Sequence, residues 1–128
     1  MYILKLRKLG KLNLWKTAYD EKFPGGFVLS EFFEDFGDAQ GIKLFREMKS
    51  DRAQQFMTGN ISALDKSDNN KVIITGIYST DPNYQLILDA DVLLKVMELF
   101  NEAANTCPKE IIIKFDNNLQ NPVVESVY

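Results

Sequence analysis

The segment Leu29–Asp38, Leu-Ser-Glu-Phe-Phe-Glu-Asp-Phe-Gly-Asp, constrains the fold of this chain more than any other. Leu29, Phe32, Phe33 and Phe36 fall at i, i+3, i+4 and i+7, the spacing that lines one side of a helix. Glu31, Glu34, Asp35 and Asp38 repeat that spacing two residues out of phase. At about 100° per residue the two sets centre on opposite sides of one helix. Three phenylalanines and a leucine then need a sheet to cover them. The four carboxylates are expected to form one exposed row, with no basic residue inside the segment to relieve it.

The remaining periodicities say what that sheet is made of. Tyr2, Leu4 and Leu6 alternate with Ile3, Lys5 and Arg7, the two-residue period of a half-buried strand. The charges on that strand suit an edge protected from aggregation. A second strand is expected to end near Lys16, after a turn at Gly10. Pro24-Gly25-Gly26 reads as a turn, and Ser30 as the N-cap of the aromatic helix. That helix should bend at Gly37, and a longer one should run from Asp38 or Gly41 to Met57, burying Phe56 and stopping at Thr58-Gly59-Asn60. Short strands are expected at Ile61–Leu64, at the β-branched run Lys71–Ser79 and at Tyr84–Leu88. Asp89 or Asp91 should cap a helix reaching Asn105, and Glu110–Phe115 reads as a central strand. The sum is one α+β domain over residues 1–128: a mostly antiparallel sheet of about five or six strands, with two to three helices packed against it. Residues 116–128 add an edge strand or an extended tail.

Composition closes several routes to catalysis. The chain of 128 residues has no histidine and a single cysteine, Cys107. A Ser-His-Asp or Cys-His relay is therefore impossible, and so is a zinc or iron site of ordinary ligands. Cys107 reads as an inert, partly buried thiol. Asp89-Ala90-Asp91 has the spacing of a carboxylate pair for a hard cation, but capping is the simpler account. Asp65-x-Ser67-x-Asn69 starts like a calcium loop and then places Asn70 at the glycine position and Gly76 at the glutamate position, so that signal fails. No cofactor and no metal are expected, and the chain is read as a non-enzyme.

Charge is unevenly spread. Residues 1–19 carry five cations and no acid, whereas 20–38 carry six acids and Lys22 alone, within a net charge of −3. An acidic balance argues against direct nucleic-acid binding, which relies on a basic face. No apolar run is long enough for a membrane span, and Lys5, Arg7, Lys8 and Lys11 interrupt any secretory signal, so a cytoplasmic monomer is expected.

In general build the chain resembles the bacterial immunity proteins that accompany polymorphic or contact-dependent toxins. The resemblance is carried by Glu31, Glu34, Asp35 and Asp38 and by an α+β pattern without catalytic motifs. It implies a small cytosolic inhibitor that covers the basic active site of a cognate toxin, a nuclease above all. Glu31, Glu34, Asp35 and Asp38 would then be the contacts, with Asp20 and Glu21 extending the patch. Two other classes fit the same composition: a small acidic secretion chaperone or adaptor, dimeric through an apolar surface, and a carboxylate-dependent enzyme with two paired acids in a cleft.

Overall fold

A computed structural model describes residues 1–8, 15–19, 23–79, 81 and 84–128, with the side chains of 16–19 left aside. In chain order the elements are β1 (Tyr2–Lys8), β2 (Trp15–Tyr19), α1 (Gly26–Phe36), α2 (Ala39–Ser50), β3 (Phe56–Thr58), β4 (Ser62–Ser67), β5 (Lys71–Gly76), β6 (Gln85–Asp89), α3 (Ala90–Ala104), β7 (Glu110–Phe115) and β8 (Val123–Val127). The class is α+β and all strand pairs are antiparallel, as the sequence pattern implies. The strands divide between two four-stranded sheets, β2-β1-β7-β8 and β3-β4-β5-β6, rather than joining one.

The helices join the two sheets. α1 packs against β2 of the first sheet and β4, β5 and β6 of the second, while α3 touches β7, β8 and β6. The aromatic stripe supplies the seam: Leu29, Phe32, Phe33 and Phe36 are all buried, as their spacing predicts. Phe33 stacks on Phe100 of α3 at 4.5 Å and 4°, and Trp15 meets the same Phe100 edge-on at 6.2 Å. Removing either ring of the stacked pair would cost about 3–5 kcal/mol, because close-packed neighbours cannot fill so large a void. On the first sheet Leu4, Leu6, Ile111, Ile113 and Phe115 point into this same core.

The outer faces of the sheets differ. On the first, cross-strand neighbours pair their charges: Arg7 with Glu110 at 2.9 Å and Lys114 with Glu125 at 3.1 Å. On the second, the register places Phe56, Asp65, Ile73 and Ile87 in one row across four strands. Phe56 and Ile87 are exposed there.

Several local expectations are corrected. β1 is interior to its sheet, so its charges serve pairing across strands rather than edge protection. The N-cap of α1 is Gly25, at φ 84°, and not Ser30. Ser30 is buried in mid-helix, and its hydroxyl donates to the Phe27 carbonyl at 2.7 Å. α2 stops at Ser50, and its C-cap is Asp51. The Phe56-Met57-Thr58 segment instead pairs with β4, which buries Met57 and exposes Phe56, because a strand places successive side chains on opposite faces. Cys107 is exposed, not partly buried. Asp89 does cap α3, accepting from Asp91 N and Val92 N, and the 116–128 segment does contribute an edge strand, β8.

Candidate functional site

The acidic row expected on α1 is broken into parts with different surroundings. Asp38 is not on α1 at all. It is the N-cap of α2, where its carboxylate accepts from Gly41 N at 2.8 Å. Asp35 is on α1 but points into the β3–β4 hairpin. Its Oδ2 accepts from Ile61 N at 3.0 Å, Ser62 N at 2.8 Å and Ser62 Oγ at 2.6 Å. Ser62 is fully buried, so this carboxylate satisfies polar groups that water cannot reach. The hairpin closes around it, with Gly59 N donating to Ser62 O at 2.9 Å. A Cβ at Gly59 would stand 2.3 Å from Asp35 Oδ2, so the turn needs a residue without one. Together these contacts make Asp35 a clasp that ties α1 to the second sheet.

Glu31 and Glu34 line a groove of about 240 Å³ with Phe27, Ser30, Ile61, Tyr78, Ser79 and Tyr84, and Glu34 also borders a second one with Trp15, Phe33, Asp38 and Phe100. The Tyr84 hydroxyl donates to Glu31 Oε1, and the Tyr84 ring leans on Phe27 at 5.9 Å. Gly76, at the end of β5, makes room for this arrangement. A Cβ there would come within 2.3 Å of the Tyr84 ring and 3.1 Å of Glu31 Oε2. Tyr78 stands above the groove in the turn after β5, 83% exposed, and Phe27 is 44% exposed on the first turn of α1. The groove thus combines two carboxylates one helical turn apart with three aromatic rings.

None of the four acids of the row makes a described ion pair with Arg46 or Lys49, although both are on the next helix. Arg46 Nη2 binds Glu98 Oε1 at 2.8 Å, and Lys49 Nζ binds Asp91 Oδ1 at 2.6 Å, both on α3. The Lys49 ammonium, with help from the Asn70 amide, holds the Asp91 carboxyl below its ordinary pKa. Asp89 and Asp91, the pair with metal-like spacing, therefore have separate structural partners, and no cluster of three ligand-type residues occurs among the described residues.

Asp20 and Glu21 lie outside the described residues. What the sequence reading missed is the aromatic half of the groove. Tyr84 is 53 positions from Glu31, and no local periodicity links a strand flank to a helix that far away. Tyr78 is expected inside the strand Lys71–Ser79, whereas β5 ends at Gly76 and Tyr78 lies in the turn that follows.

No protein family, curated protein or solved structure matches the chain.

Proposed function

We propose that this chain is a non-catalytic protein-binding inhibitor, an immunity protein that neutralises a cognate toxin with a basic surface, most simply a nuclease. The observation that carries the reading is the groove in which Glu31 and Glu34 stand beside exposed Tyr78 and Phe27. A nuclease site binds phosphates through lysine and arginine, so carboxylates can take the place of the substrate backbone there. Aromatic residues next to them supply the desolvated area that charge alone lacks, and tyrosine is among the residues that dominate protein interfaces. Complementary charge would steer the encounter and make its rate dependent on salt. The inhibitor acts as a monomer in the cytoplasm, where such a toxin would otherwise act.

The test is to capture the partner from the native host, identify it, and measure association with the wild type and with a Glu31→Lys/Glu34→Lys double variant. Association of the wild type is expected to slow with added salt, and the double variant to associate at least about tenfold more slowly at low salt. Equal rates for the two proteins across the salt range would overturn the reading.

The outer row of Phe56, Ile73 and Ile87 favours a second reading, a dimeric secretion chaperone or adaptor. Light scattering separates the two, because the inhibitor reading predicts a monomer and the chaperone reading a dimer.

A further inference from the structure

Resting on the inhibitor reading above, we infer that the groove between α1 and the Ile77–Ser79 turn reads an arginine side chain of the partner, in preference to lysine. Its walls are what selects. An exposed acidic surface attracts any cation, but a planar guanidinium also stacks on aromatic rings and sheds its hydration more readily than an ammonium. Tyr78, Tyr84 and Phe27 present three rings around the opening, and Ile61 adds an aliphatic side. Glu31 and Glu34 sit at i and i+3, on neighbouring turns, where their Cβ atoms are about 5–6 Å apart. The five donors of one guanidinium fan out along two edges of a plane, which suits a groove that sets two carboxylates beside aromatic rings. An ammonium offers only a point charge.

The groove is also held in shape before anything binds. Tyr84 is fixed at its hydroxyl by Glu31 and along its ring by Phe27, with Gly76 behind it. Less ordering is then required at the moment of contact. Tyr78 is the exception: at 83% exposed it has area to give up to a ligand, which makes it the residue expected to close over the side chain.

The experiment is calorimetric titration of the full chain with oligo-arginine and oligo-lysine peptides of equal length, repeated on Tyr78→Ala and Glu34→Gln. The arginine peptide is expected to bind the wild type about two- to fivefold more tightly than the lysine peptide. In Tyr78→Ala that preference shrinks, because one of the three rings is gone, and the lysine affinity falls less than the arginine affinity. Since Tyr78 is on the surface, this variant folds, and circular dichroism verifies it. In Glu34→Gln both peptides weaken together. Equal affinities for the two peptides in the wild type, or an arginine preference undiminished in Tyr78→Ala, would overturn the inference. Neither result touches the inhibitor reading, which stands or falls on the charge-reversal experiment with the captured partner. Conversely, an arginine preference with a partner indifferent to charge reversal would leave the groove chemistry standing and remove the inhibitor.

Discussion

At one end of the acidic row Asp35 accepts three hydrogen bonds from Ile61 and Ser62 and is built into the fold. At the other end, Glu31 and Glu34 are also half-buried, but what surrounds them is a groove walled by Phe27, Tyr78 and Tyr84. The two ends have the same chemistry, the same helix and the same spacing. They differ only in what the second sheet brings against them. Where the β3–β4 hairpin closes on α1, a carboxylate becomes a structural acceptor. Where β5 ends at Gly76 and the chain turns away, the carboxylates line a groove, with Glu31 accepting from the Tyr84 hydroxyl. A helical face identifies which residues share a side, and the neighbouring element decides whether that side is occupied.

The sharpest way to break the comparison is to delete one acid at each end. Asp35→Ala strands two backbone N–H groups and a buried hydroxyl, and should cost about 2–4 kcal/mol in urea unfolding. Glu34→Ala, which truncates a half-buried carboxylate at the groove, should cost clearly less than Asp35→Ala. Similar losses for the two would erase the distinction.

The next effect probes the groove end. Gly76→Ala pushes a methyl group into the Tyr84 ring and is expected to cost about 1–3 kcal/mol, as overpacking does. It should also change the near-ultraviolet dichroism of the tyrosines and weaken oligo-arginine binding. A variant with unchanged binding would mean that the position of Tyr84 does not matter to the groove.

Asp38 gives a smaller effect of an ordinary kind. Replacing it by alanine removes the α2 cap and should cost about 1 kcal/mol, with no change in cation binding. A loss of binding in Asp38→Ala would extend the open end of the row past Gly37.

The smallest effect lies outside the row and serves as its control. Lys49 lowers the Asp91 pKa, and the Gln120 and Asn118 amides, together with the Asn121 side chain, lower that of Asp116. A carboxyl with a depressed folded pKa stabilises the fold above its unfolded value and loses that contribution as pH falls through the folded one. Urea midpoints should therefore hold at mild acidity and decline below about pH 3.9, with a shallower decline in Asp91→Asn. An equally steep decline in that variant would show that Lys49 adds nothing through Asp91.

Much of this was legible in the chain, and the limits have physical causes. The burial of Leu29, Phe32, Phe33 and Phe36 follows from a period of 3.6, and the cap at Asp89 from its place before an apolar helix. Ser30 misled because its hydroxyl satisfies a carbonyl one turn back, a bond that leaves no trace in spacing. The error over Phe56 came from extending one helical period across Asp51, where the chain changes to a period of two. The split of the acidic row was beyond any local pattern. It depends on contacts from Asp35 to Ser62 and from Glu31 to Tyr84, which exist only once the second sheet has packed against α1.

The claim that a cation seats in the groove beside Glu31 and Glu34, and not at the exposed helix cap Asp38, is tested most directly by mapping where one binds. In a nitrogen–proton NMR titration of the wild type with an oligo-arginine peptide, the largest shift changes are predicted at Phe27, Glu31, Glu34, Tyr78 and Tyr84, with Asp38 and the start of α2 silent. Shifts centred on Asp38 and α2, or spread evenly over all the acids, would contradict it.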